Sequence, residues 1–66
     1  MAVINNLKET RKLNGVGQKD LSLATGFSIR TISRVECGKQ NPSAEFMLRV
    51  SKYFQLLVED IFDIGE

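Results

Sequence analysis

Hydrophobic residues recur along this chain every three or four positions, which is the spacing of amphipathic helices. One stripe of the first segment carries Val3, Ile4, Leu7 and Arg11. No stretch alternates between apolar and polar residues for long, as a half-buried strand would. The single proline and the five glycines stand where the helical segments would end. The pattern predicts five helices, over residues 3–14, 18–25, 29–36, 44–54 and 58–62.

The second and third predicted helices are short and are joined by a three-residue turn, Gly26-Phe27-Ser28. Glycine tolerates the left-handed conformation that ends a helix, and serine is a preferred N-cap for the next one. Such a turn sets two helices at a steep angle, so that the second can enter the major groove of DNA. The outward positions of that second helix are Arg30, Ser33 and Arg34. The spacing therefore predicts a helix-turn-helix over residues 18–37.

Length and composition limit the classes of protein that this chain can be. Sixty-six residues form one small domain, 1–66, whose core supplies only ~3–5 kcal/mol of net stability. Cys37 is the only cysteine and there is no histidine. We therefore expect no disulfide within the chain, no metal site, no cofactor and no nucleophile paired with a base. No apolar run approaches the length of a membrane span. These features favour a soluble, cytoplasmic binding module over an enzyme.

The net charge of +1 hides an uneven distribution of charge along the chain. Residues 1–52 contain nine basic and four acidic side chains, a net charge of +5. Residues 53–66 contain four acidic side chains and no basic one, a net charge of −4. This division suggests a body that faces a polyanion and a tail that faces away from it, although short chains also divide unevenly by chance. We expect residues 63–66 to form a loose tail.

The segment QKDLSLATGFSIRTISRVECGKQNPS, residues 18–43, resembles the DNA-binding core of the Cro and phage-repressor (XRE-type) family of helix-turn-helix regulators. The shared features are a glutamine that opens the second helix, a glycine in the turn, and Ile-Ser-x-hydrophobic-Glu-x-Gly-Lys followed by Asn-Pro-Ser. The resemblance extends over about residues 4–62. It implies an all-α, lambda-repressor-like domain. It also implies a transcriptional repressor that binds double-stranded DNA. One module reads only a few base pairs, so we expect a homodimer on a pseudo-palindromic operator. A chain of this size leaves no room for an effector domain, so we expect no small-molecule effector.

Carried over position by position, the resemblance implies roles for individual side chains. Those expected to face or flank the bases are Ser28, Ile29, Arg30, Ser33 and Arg34. Those expected to hold phosphates are Gln18, Thr31, Lys39 and Asn41, the last through nearby backbone amides. Arg11 and Glu36 are expected to form a structural ion pair. Among the base readers, the two arginines are the strongest specifiers, because a guanidinium can pair with guanine through two hydrogen bonds.

Several apolar and polar positions leave alternatives open. The core has no room for all of the apolar residues near the end of the chain, so we predict that some form a dimer patch and others close the core: Leu56, Leu57, Ile61 and Phe62. Ser22 stands where the family usually has alanine, so its hydroxyl needs a hydrogen-bond partner. Leu13 and Leu23 are apolar at positions that the pattern leaves exposed. These two leucines leave a second interpretation open, in which the chain is a helix-turn-helix module that binds another protein, such as an antitoxin or a co-regulator.

Overall fold

The computed structural model describes residues 2–65, which form five helices and one two-stranded sheet. In chain order the elements are β1 (Ala2–Asn5), α1 (Leu7–Leu13), α2 (Gln18–Thr25), α3 (Ile29–Glu36), α4 (Ala44–Phe54), α5 (Val58–Ile61) and β2 (Phe62–Gly65). The bounds predicted for α2, α3 and α4 are confirmed. Within the described residues, no helix has the length and apolar character needed to cross a membrane.

The two ends of the chain pair with each other, which corrects the prediction of an all-α fold. β1 and β2 are antiparallel, with Val3 opposite Ile64 and Ile4 opposite Asp63. The predicted loose tail is therefore wrong for residues 63–65, while residue 66 lies outside the described part. The predicted helix over 3–14 is shortened at its beginning. The Asn5 side-chain oxygen accepts a hydrogen bond from the amide of Leu7 at 3.0 Å, and such local bonds favour a turn over a continuing helix.

The core lies between the helix-turn-helix, α4 and the terminal segment. Its buried apolar side chains are Leu7, Leu21, Ile32, Val35, Phe46, Val50, Ile61 and Phe62. Phe46 is at the centre, with its ring 5.0 Å from that of Phe27 and 6.3 Å from that of Phe62. Ile61 and Phe62 are only 2% and 4% exposed, so their predicted place in a dimer patch is wrong. They close the core of the single chain, which leaves Leu56 and Leu57 on the surface.

Candidate nucleic-acid interface

The turn between α2 and α3 fixes the relative position of these two helices. Gly26 ends α2 in the left-handed conformation, with φ of 81°, which a residue with a Cβ adopts only at a cost. Ser22, in the middle of α2, donates a hydrogen bond to the carbonyl oxygen of Phe27 at 2.6 Å. The partner predicted to be necessary for Ser22 is thus present, and it ties the turn back to α2.

The start of α3 is capped by the residue that the sequence predicts. The Ser28 hydroxyl oxygen accepts a hydrogen bond from the amide of Thr31 at 3.1 Å and donates one to the Thr31 hydroxyl at 3.0 Å. Each of these two hydroxyl groups can donate or accept, so one proton holds the pair together and the other is available to a ligand.

The outer face of α3 presents its two arginines differently. Among residues 2–65, the side chain of Arg30 has no hydrogen-bond or ion-pair partner, and the residue is exposed. Arg34 is half-buried, and it donates from Nε to the Gln40 side-chain oxygen at 3.3 Å and from Nη2 to the Lys39 carbonyl at 3.4 Å. Ile29, beside Arg30, is 45% exposed. The face therefore offers one free guanidinium and one that is held against the following loop.

The loop after α3 lies beside that helix and encloses a groove of about 280 Å³. Thr31 and Asn41, two of the predicted phosphate ligands, both line this groove, together with Gln40 and Ser43. The side-chain oxygen of Asn41 accepts a hydrogen bond from the amide of Val3 in β1 at 3.3 Å. Its amide hydrogens remain available as donors. The structure thus brings two predicted phosphate ligands together and anchors their loop to the terminal sheet.

Lys39 and Ser33 complete the predicted set on α3 and its loop. The side chain of Lys39 is exposed, while its backbone amide donates to the Arg34 carbonyl at 2.9 Å and so closes the end of the helix. Ser33 is half-buried on the same helix. The contacts of both side chains to DNA stay predictions.

The predicted ion pair is confirmed, and it lies beneath the start of α2. Arg11 binds Glu36 through two hydrogen bonds, from Nε to Oε2 at 2.5 Å and from Nη2 to Oε1 at 3.0 Å. The two side chains are 9% and 3% exposed. The hydrogen bond to Glu36 raises the pKa of Arg11 above its ordinary value, against the opposing effect of burial. The guanidinium therefore stays charged at every ordinary pH.

Two contacts in this region were not predicted from the sequence. Gln18 donates a hydrogen bond from Nε2 to Oε1 of Glu36 at 3.0 Å, so the buried carboxylate binds a predicted phosphate ligand as well as Arg11. Gln40, which has no predicted role, holds Arg34. Neither pair has a characteristic spacing in the sequence.

Within residues 2–65, no group of three or more cysteine and acidic side chains is arranged to hold a metal ion.

Comparison with known proteins gives consistent matches at the level of sequence and fold. A helix-turn-helix family model matches residues 7–61. An uncharacterised HTH-type transcriptional regulator of Methanocaldococcus jannaschii is 40% identical over 58 residues, which cover 88% of each chain. A regulator of the same description from Bacillus subtilis is 32% identical over 62 residues, which cover 94% of each chain.

Two solved structures share the fold. The crystal structure of a putative DNA-binding protein from Bacteroides fragilis aligns with a TM-score of 0.82 at 21% identity and covers 92% of this chain and 98% of its own. The restriction-modification controller protein C.AhdI from Aeromonas hydrophila aligns with a TM-score of 0.77 at 24% identity and covers 82% of each chain. With the family match over residues 7–61, the chain belongs to the XRE-type helix-turn-helix family of DNA-binding transcriptional regulators.

Proposed function

We propose that this protein is a sequence-specific repressor that binds double-stranded DNA as a homodimer in the cytoplasm, with α3 in the major groove. The observation that carries the proposal is the free guanidinium of Arg30 on the outer face of α3. An exposed arginine at the start of a recognition helix can donate two hydrogen bonds to O6 and N7 of guanine. Neither a cofactor nor a small-molecule effector is part of the proposal.

The proposed phosphate contacts come from two regions, the groove beside α3 and the start of α2. The groove lined by Thr31 and Asn41 offers a hydroxyl and an amide beside the exposed ammonium of Lys39. In the second region, Gln18 is the first residue of α2, where the first backbone amides have no partner within the helix and favour an anion. Contacts of this kind position a protein on the duplex, while the base contacts of α3 select the sequence.

Replacement of Arg30 by alanine is expected to weaken binding to the preferred sequence by about 1–3 kcal/mol, because one bidentate guanine contact is lost. The preferred sequence is obtained by selection from random duplex DNA. Dissociation constants are then measured for that duplex and for a scrambled one of equal length. Lys52→Ala, which removes an exposed positive charge from α4, is the matched control. Equal losses of Arg30→Ala on both duplexes would contradict base reading by this residue.

The proposed dimer uses the exposed leucines that precede α5. Leu56 and Leu57 are 40% and 63% exposed, and a two-fold contact would bury both copies of each. Leu57→Ser is expected to weaken dimerisation about tenfold or more, since burial of a leucine contributes ~1.5–3 kcal/mol. Leu57 is the N-cap of α5, a position that favours serine, so the fold is preserved. Sedimentation equilibrium measures the change, and Leu13→Ser is the control on a distant exposed leucine. An unchanged dimer with Leu57→Ser would exclude this surface.

A protein partner is the second candidate. It is favoured by Leu13 and Leu23, which are 87% and 78% exposed, because exposed apolar side chains can serve as contacts for another protein. A gel-shift titration against genomic fragments separates the two functions. Binding to a defined fragment supports the repressor, and failure to bind any fragment supports the protein-binding module.

A further inference from the structure

The carboxylate of Glu36 lies at the junction of three helices and accepts three hydrogen bonds. Two come from Arg11 at the end of α1, and the third comes from the side chain of Gln18, the first residue of α2. Glu36 is itself the last residue of α3. Its side chain is 3% exposed, so water contributes little to this cluster. The hydrogen bond between Glu36 and Gln18 is one of two that Oε1 accepts, each at 3.0 Å.

We propose that Glu36 is a positioning residue that orients Gln18 for its contact with a DNA phosphate. This inference rests on the proposed function. A primary amide has two donor hydrogens, and Glu36 binds only one of those on Gln18. The other hydrogen is held in a defined direction at the start of α2. An unrestrained glutamine loses much rotamer freedom when it binds, whereas this side chain is ordered before DNA arrives. Such preorganisation increases affinity without a new contact to the ligand.

Arg11 connects the same cluster to the backbone that leads into α2. Its Nη1 donates a hydrogen bond to the carbonyl oxygen of Val16 at 3.0 Å, and Gly17, the N-cap of α2, follows directly. The amide of Gly17 donates to the Asp20 side chain at 3.0 Å, so the first turn is fixed from both sides. The cluster thus holds the Gln18 side chain and the backbone from which it projects.

A double-mutant cycle on DNA affinity tests the proposal with Gln18→Ala, Glu36→Gln and the double variant. Glutamine at position 36 has one acceptor oxygen and no charge, so Arg11 and Gln18 compete for it. Each single change is expected to weaken binding about three- to tenfold, the effect of one hydrogen bond. The double variant is expected to bind as weakly as the weaker single variant and no worse. Binding is measured at a temperature at which circular dichroism shows every variant folded.

Losses that multiply in the double variant would overturn the proposal, because a merely structural role of Glu36 weakens binding whether or not Gln18 is present. An unchanged affinity in Gln18→Ala, with a large loss in Arg30→Ala, would also overturn it and leave the proposed function standing. A wild-type protein that binds no duplex would overturn both.

A second measurement needs no variant at position 36. In a heteronuclear NMR spectrum of the wild-type protein, assigned by comparison with Gln18→Ala, the side-chain amide signals of Gln18 are expected to show an ordered side chain before DNA is added. They are expected to shift on titration with the selected duplex. Signals typical of a freely rotating glutamine in the free protein would overturn the proposal.

Discussion

Replacement of Arg11 by alanine is expected to lower the free energy of unfolding by about 3–5 kcal/mol, which leaves roughly half of the protein unfolded at 25 °C. The change leaves the carboxylate of Glu36, whose side chain is 3% exposed, without its charged partner. Removal of one partner from a buried ion pair costs about 3–5 kcal/mol, which equals the net stability available to a domain of this size, ~3–5 kcal/mol. The loss of helical signal in far-ultraviolet circular dichroism, followed during urea titration, measures the effect.

The matched control removes both charges together. The double variant Arg11→Met and Glu36→Leu places apolar side chains of similar size in the same space, and such exchanges of a whole buried pair are often neutral or stabilising. We expect it to fold. If Arg11→Ala were as stable as this double variant, an unpaired buried charge at this junction would not be costly, and the prediction would be wrong.

The same double variant separates the stability of the fold from the orientation of Gln18. It should fold, yet it lacks the acceptor that holds the Gln18 amide at 3.0 Å. We therefore expect it to bind DNA more weakly than the wild-type protein while its thermal stability is similar. We expect stability to depend mainly on the bonds between Glu36 and Arg11, and affinity for DNA to depend in part on the bond between Glu36 and Gln18.

The helices that carry the candidate site could be predicted from the sequence because their signals are local. Ser28 and Ser43 precede α3 and α4, and each accepts a hydrogen bond from the third amide of its helix, at 3.1 Å and 3.0 Å. Gly26 ends α2 at a positive φ. Caps and turn glycines act within a few residues of their position. A single sequence therefore shows where these helices begin and end.

The terminal sheet could not be predicted because it depends on pairing between distant segments. β1 and β2 have four residues each, too few to establish a period of two. Val3 and Ile4 also fit the apolar stripe of a longer first helix. Their pairing with Ile64 and Asp63 depends on how the helices between the two strands pack, which the sequence does not show. The pairing of β1 with β2 also buries Ile61 and Phe62. For this reason the sequence alone could not show which apolar residues near the end of the chain belong to the core.

The candidate site shows the same division between local and distant signals. The ion pair of Arg11 with Glu36 followed from the family resemblance. The hydrogen bonds from Gln18 to Glu36 and from Arg34 to Gln40 depend on the angle between α2 and α3 and on the path of the loop after α3. No spacing in the sequence encodes those angles. The identity of the polar residues was thus predictable, whereas the partners that restrain them required the structure.

Replacement of Phe46 by alanine is expected to lower the free energy of unfolding by about 3–5 kcal/mol, as truncation of a buried phenylalanine does. Phe46 is 1% exposed and contacts both Phe27 of the helix-turn-helix turn and Phe62 of β2. Its removal opens a cavity between the recognition unit and the terminal sheet. In a domain of this size each 1 kcal/mol lowers the melting temperature by roughly 4–8 °C. The melting temperature is therefore expected to fall by more than ~10 °C.

Leu48→Ala on the same helix is the control, because Leu48 is 62% exposed. Its effect should stay within about 0.5 kcal/mol, as for most surface substitutions. Calorimetry on the wild-type protein, Phe46→Ala and Leu48→Ala tests whether Phe46 is at the centre of the core packing. If Phe46→Ala and Leu48→Ala lowered the melting temperature equally, Phe46 would not be the centre of the packing. A large effect of Phe46→Ala alone would show that the packing of this one ring, between the turn of the helix-turn-helix and the paired chain ends, contributes much of the stability of the fold.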